Sequence, residues 1–379
     1  MKKIFIKIIK LIVFLKNYIL QIKIIFKFYN IKDKYSIIFF HRTKPYSVGY
    51  GAGTKIPLIA RKKKFKVLNI YFNFRENIFT NKDTIFIYSF YLLRFVLRNV
   101  SQKIPIHIFN QQHMGDITEF IYKLGFRNII LEIRSPLIKK SIVRREDFNK
   151  AFKFSKKVIY PSIQVLKTWG FKEKNYQKVL KVPVCISQYN KNVNPLLYKK
   201  RLKFIYFGTN DIKRNLSNLI KNIKLLRNTK NRFDFTFLQE NDEKKVIEVN
   251  SKIRIHYKKY INMSETKKFL QKFNIGISYL PKPRDHANYS LAWPTKVLDY
   301  AHSGILPICN YHESHLDMKK SGFKLVFFDE IIDDSFLTKL DNMNDLKIKS
   351  ILLNNFKISK KFLWENYENT YYKCWKNNL

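Results

Sequence analysis

Three stretches of the chain place glycine, cations or a carboxylate close to apolar runs, where a turn can carry them to a ligand. The first is G-Y-G-A-G-T, residues 49–54, which holds three of the ten glycines. Glycine permits positive φ and close backbone approach, so Gly51 and Gly53 are candidates to offer free N–H groups to an anion as a helix begins. A plain tight turn is the alternative, and the spacing lacks the closing x-x-G of a dinucleotide fingerprint. The second is F-G-T-N-D-I-K-R-N, residues 207–215. There Gly208 lets the chain turn, and Lys213 and Arg214 stand where a diphosphate would meet both a cation and a helix N-terminus. Two surface charges beside a strand end are the competing reading.

The third stretch, L-A-W-P-T-K-V-L-D-Y-A-H-S-G-I-L-P-I-C at residues 291–309, carries most of the specificity. Pro294 suits a first helical turn and Gly304 a helix end, with Thr295 and Lys296 at the start and Asp299 in the middle. Val297, Leu298 and Ala301 are expected to face a sheet. That leaves Asp299 one face round, where a carboxylate would accept two hydroxyls, as from a ribose; a solvated face or a salt bridge to Lys296 are the other readings.

Apolar runs that alternate with segments of helical period must position these groups, and that alternation marks βαβ construction. Strands are expected at 35–40, 66–71, 84–88, 105–109, 128–133 and 157–160, and in a second series at 202–207, 233–238, 253–257, 274–280, 305–309 and 324–328. The aperiodic 182–200 region between the series, with its prolines and asparagines, reads as a linker. Two doubly wound α/β halves joined this way are expected to face a cleft at the carboxyl ends of their strands.

The formal charge of +45 points first to an anionic partner, although the abundance of Lys, Ile, Asn, Phe and Tyr is also what an AT-rich coding sequence produces. The cations are spread along the whole chain and no zinc knuckle, RNP motif or helix-turn-helix signature is found, so nucleic acid is not the expected partner. Three scattered cysteines provide neither a disulfide framework nor a C-x-x-C metal site, which fits a reducing cytoplasm. Residues 1–30 carry seven lysines among Ile, Leu and Phe, and the lysines interrupt the apolar runs too often for a spanning helix. Two short amphipathic pieces result, which would lie on anionic lipid or pack on the protein's own core.

Residues 200–310 resemble the carboxyl-terminal domain of GT-B glycosyltransferases, especially glycosyltransferase family 4. There a strand-Gly-x-x-x-x-x-[KR]-N segment precedes a helix, and P-x-K-x-x-E-Y-x-x-x-G-x-P follows later. Here these are Gly208 with Arg214 and Asn215, then Pro294, Lys296, Asp299, Tyr300, Gly304 and Pro307. The chain departs from the pattern at Thr209, at Leu291 and in carrying Asp at 299. The resemblance implies a nucleotide diphosphate sugar as co-substrate, with no required metal or other cofactor. Arg214 would hold the donor diphosphate, Asp299 the ribose, and the Gly51–Gly53 loop the phosphates or acceptor. In the first domain it covers mainly the 49–54 loop and I-L-E-I-R-S-P, where Arg134 matches an Arg placed near the transferred sugar; His113 in N-Q-Q-H-M-G-D is another candidate for the cleft, and both are the catalytic candidates. Ordinary structural polar roles are the alternative for both.

The expected organisation is a basic segment at 1–30, an acceptor-side domain at 31–185, a linker at 186–200, a nucleotide-sugar domain at 201–345 and a helical tail at 346–379 crossing back to the first domain. The function expected is transfer of a glycosyl group to an acceptor hydroxyl of a glycan or glycolipid on the cytoplasmic face of an anionic membrane, with retention of configuration implied by the resemblance. A basic nucleic-acid-binding protein and a catalytically silent GT-B membrane scaffold are the alternatives from other classes.

Overall fold

The computed structural model describes residues 34–41, 51–72, 83–87, 90–109, 113–137, 142–171, 177–187, 201–208, 216–227, 231–239, 245–259, 261, 265–280, 293–329 and 331–376. The basic segment 1–30, Lys213, Arg214 and most of the 186–200 stretch lie outside them. The chain divides into two compact units, Met1–Val182 with Glu368–Leu379, and Pro183–Tyr367.

The first unit is built on a seven-stranded sheet of order β3-β2-β1-β4-β5-β6-β7. Its strands are β1 (Ile37–His41), β2 (Val67–Phe72), β3 (Thr84–Ile87), β4 (Ile106–Phe109), β5 (Ile129–Glu132), β6 (Lys157–Tyr160) and β7 (Val179–Lys181). All neighbours run parallel. Parallel strands are covered on both faces and read as continuous apolar runs; Ile37–Phe40 of β1 are accordingly all fully buried. Ile38, Phe40, Ile106, Ile108, Ile129 and Leu131 share one core with residues of α2 (Phe90–Arg98) and α3 (Met114–Lys123). The side-chain period of two sends Phe39, His41, His107 and Glu132 to the other face. There Tyr371 and Trp375 of α12 (Glu368–Lys376) rest against Phe39 and His107.

The second unit repeats the plan with a seven-stranded sheet of order β10-β11-β9-β8-β12-β13-β14. Its strands are β8 (Arg201–Tyr206), β9 (Arg232–Gln239), β10 (Val246–Glu248), β11 (Ile253–Lys259), β12 (Ile275–Ser278), β13 (Leu306–Asn310) and β14 (Val326–Phe328), and among these pairings only β10 on β11 is antiparallel. Leu216, Leu219 and Ile223 of α6 (Leu216–Ile223) bury on one face with Phe204, Phe235 and Ile277. α8 (Thr295–Ser303) lies on the other, and α11 (Asp345–Ser359) packs beside it through His302, whose Nδ1 is 3.1 Å from Ser359 Oγ.

Every strand expected from the sequence is present, with ends displaced by at most two residues. The chain passes between the units at Val182–Pro183. Ile186 then pairs with Leu363 inside the second unit, where its N–H donates to Phe362 O at 2.8 Å. Among the described residues, no helix is long and apolar enough to cross a membrane.

Candidate functional site

Ligands of doubly wound sheets bind beyond the carboxyl ends of the strands where strand order reverses. In the second unit the order reverses between β8 and β12, and β8 ends into Phe207 and Gly208. Helix α8 stands over the same reversal. Its N-cap is Pro294, and it ends at Gly304 with φ of 72°, a left-handed conformation that suits glycine.

Tyr300 fastens α8 to the reversal. Its hydroxyl accepts the Phe207 N–H at 2.8 Å, and its single proton lies between the carbonyls of Ile205 and Ile277 at 3.1 and 3.0 Å. The ring sits so close to β12 that a Cβ on residue 276 would come within 2.3 Å of it, so this position must be glycine. Burial raises the Tyr300 pKa well above its ordinary value, which keeps the phenol protonated and able to donate.

Around that anchor, α8 is buried on nearly every side. Val297, Leu298 and Ala301 pack against Cys309, Met318 and Phe323, and Tyr300 also faces the strands. The three aliphatic residues thus face the sheet at Cys309 of β13, and the missing Cβ of Gly276 makes room for the Tyr300 ring beside them. Lys296 is 5% exposed and holds its ammonium 3.8 Å from the centroid of the Tyr206 ring, a cation–π contact at the end of β8. Asp299 is 7% exposed, so its carboxylate does not lie on a solvated face. Thr295 is exposed at the first turn, and Gly208 is half-buried. The fold thus brings Lys296 and Tyr300 of α8 to the end of β8, which runs on into Gly208, with Thr295 and Asp299 on the same helix; Lys213 and Arg214 fall outside the described residues.

A buried polar group neighbours this site. His315, on α9 (Glu313–Lys320), donates from Nδ1 to Asn310 O at 2.9 Å and meets Ser278 Oγ through Nε2 at 2.8 Å. Burial lowers its pKa to about 3, with the charge of Lys296 acting in the same direction. The Asn310 amide exchanges two bonds with the backbone of Leu280, at 2.9 and 2.7 Å. Sequence reasoning missed this cluster; its only sign is the histidine pair in N-Y-H-E-S-H directly after a strand.

In the first unit the reversal falls between β1 and β4. Gly51 and Gly53 follow β1, but they form the first turn of α1 (Gly51–Lys62) where a loop was expected. Two glycines in the first turn do not prevent this, because the N–H groups of a first turn have no intrahelical partners in any case. His113 follows β4 as the N-cap of α3 with φ of 59°, its side chain exposed and its Nδ1 3.6 Å from Asp116 Oδ2. The N-terminus of α3 is filled from within, since Asp147 accepts the Gly115 N–H at 2.7 Å.

Arg134 has a different setting from the one expected of a group near a transferred sugar. Its guanidinium pairs with Glu132, bonds to the Tyr371 hydroxyl and donates to Val182 O at 2.8 Å. Glu132 also accepts from Tyr371 at 2.9 Å and from His107 Nε2 at 3.0 Å, while His107 Nδ1 accepts the Trp375 indole N–H at 3.3 Å. This network ties α12 to β4 and β5, and it makes Arg134 part of the scaffold.

Two Rossmann-like units of this kind constitute the GT-B fold, and similarity to solved structures extends over nearly the whole chain. A glycosyltransferase from Rickettsia africae is 12% identical, with 91% of this chain and 100% of that one covered and a TM-score of 0.62. A sucrose-phosphate synthase from Thermosynechococcus elongatus is 10% identical over 90% of this chain and 98% of that one, with a TM-score of 0.59. A trehalose-6-phosphate protein from E. coli, bound with UDP-2-fluoro glucose, is 9% identical over 90% and 99%, with a TM-score of 0.57. No protein-family model matches the sequence, and no curated protein sequence matches it.

Proposed function

We propose that the protein is a glycosyltransferase that moves a sugar from a nucleotide diphosphate sugar to an acceptor hydroxyl. The Tyr300–Phe207 bond carries this reading, because it joins two segments 93 residues apart into one edge. Gly208 would admit the diphosphate to the backbone, Arg214 and Lys213 would face its charge, and Asp299 would accept the ribose hydroxyls. Thr295 and Lys296 open the helix beside them. The names of the similar structures, a glycosyltransferase and a sucrose-phosphate synthase among them, support the class of reaction.

The chemistry follows from where charge develops. The sugar gains oxocarbenium character while the departing diphosphate gains negative charge, and fixed cations stabilise that charge without reorganising at the moment of reaction. In this reading lysine and arginine supply the countercharge, so no resident metal or cofactor is invoked, and the family resemblance favours retention of configuration. His113, Gly51 and Gly53 are the candidate contacts from the first unit. The acceptor is a glycan or glycolipid hydroxyl at the inner face of a membrane, a reading supported by the basic, apolar residues 1–30. Release of nucleoside diphosphate from a panel of UDP-, GDP- and dTDP-hexoses tests the reading. Turnover by the parent and its loss in Asp299→Asn support it, and absence of turnover with every donor and acceptor counts against it.

A further inference from the structure

At the carboxyl edge of the second sheet the Asn310 amide and both ring nitrogens of His315 have hydrogen-bond partners, whereas among the described residues one ring nitrogen of His312 has none. β13 ends at Asn310 and α9 begins at Glu313, with His312 as N-cap. His312 Nδ1 accepts the Ser314 N–H at 3.2 Å. That bond uses the lone pair of Nδ1, so the ring is neutral and its proton sits on Nε2. Burial lowers the His312 pKa and favours the same neutral form.

The Nε2–H is thus a donor, on a residue only 5% exposed, and it has no hydrogen-bond partner among the described residues. A buried donor in that state retains its desolvation penalty until an acceptor arrives. The two ring nitrogens point in divergent directions. With Nδ1 turned to the first turn of α9, Nε2–H is turned away from the helix. The neighbouring candidates to receive it are already engaged, since His315 is bonded to Ser278 and Asn310, and the Asn310 amide to Leu280.

We propose that the carboxyl end of β13 is the subsite for the transferred sugar, with His312 Nε2–H donating to one of its hydroxyl oxygens. A hydroxyl suits this place better than a phosphoryl group, because Glu313 sets a carboxylate on the first turn of α9, where it would repel an anion. The proposal rests on the reading of this edge as a donor site and adds where the sugar lies within it.

Calorimetric titration separates the two claims. UDP, UDP-glucose, GDP and GDP-mannose are titrated into the full chain, and the affinity gained from the sugar is the ratio of the two constants in each pair. His312→Asn keeps an acceptor that caps Ser314 N–H but does not reach the position of Nε2, whereas His312→Gln extends an amide N–H toward it. The nucleoside diphosphates should bind His312→Asn like the parent while the sugar's contribution falls about tenfold, and His312→Gln should recover part of it. An unchanged ratio in His312→Asn overturns the sugar subsite while leaving the donor site in place. Failure of the parent to bind any of the nucleotides overturns the donor reading, and the subsite with it.

Discussion

The hydroxyl of Tyr300 and the backbone N–H of Phe207 meet at 2.8 Å, and through this bond α8 is held to the end of β8. Tyr300→Phe keeps the ring and removes the acceptor, leaving a partly buried N–H and two carbonyls short of a partner. A loss of about 1 to 3 kcal/mol in stability is expected, together with a raised donor Michaelis constant, because the two segments of the donor edge lose their link. Urea denaturation and initial-rate kinetics on the same preparation check both effects.

Gly276→Ala acts on the same contact from the other side. A Cβ at this position would lie 2.3 Å from a ring whose hydroxyl is already fixed, so Tyr300 or β12 must shift. Overpacking of this kind costs about 1 to 3 kcal/mol. A crystal structure or a melting curve of the variant would register the shift, and a variant as stable as the parent would contradict the tight packing described.

Arg134→Ala distinguishes a scaffold role from a catalytic one. It leaves the fully buried Glu132 without its cation, and breaking a buried ion pair in this way costs about 3 to 5 kcal/mol. Arg134→Ala is therefore expected to unfold at lower denaturant and to release α12 to proteolysis. A variant that is stable and protease-resistant but has lost turnover would return Arg134 to the reacting centre.

Acid should weaken the fold through its buried histidines. Burial lowers the His41 pKa to about 4 and that of His315 to about 3, while an unfolded histidine titrates near 6.5. The neutral ring is favoured in the folded state, so this stability is fully present above about pH 6.5 and is lost as pH falls toward 4, at about 1.4 kcal/mol per pH unit for each residue. His41→Phe retains an aromatic ring between Tyr71 and Phe109 but does not titrate. It should be less stable at neutral pH, having lost the bond to Asn69 Oδ1, and should lose less on acidification. Denaturation midpoints at pH 7 and pH 5 measure the difference.

The strands were legible because a parallel sheet covered on both faces needs continuous apolar runs, and these stand out between polar helical segments. β7 and β10 were not, since each has three residues and β10 is largely exposed, so neither forms such a run. Motif spacing alone pointed to Gly208 just after β8 and to Lys296 on the first turn of α8, where its ammonium meets the Tyr206 ring. The setting of Arg134 could not: its partner Tyr371 lies 237 residues away, and nothing local to I-L-E-I-R-S-P announces it. The same holds for His312, whose free donor is visible only once the bond from Ser314 has assigned the ring's proton.

The account stands on Asp299 and the end of β8 forming one nucleotide-diphosphate site, and direct titration of nucleoside diphosphate sugars into the parent and Asp299→Asn measures that claim. Saturable binding by the parent is expected, weakened in Asp299→Asn by about 1.5 to 3 kcal/mol for the loss of hydrogen bonds to a charged group, with both proteins melting at similar temperatures. Absence of binding to the parent, or equal affinity in the two folded proteins, would contradict it.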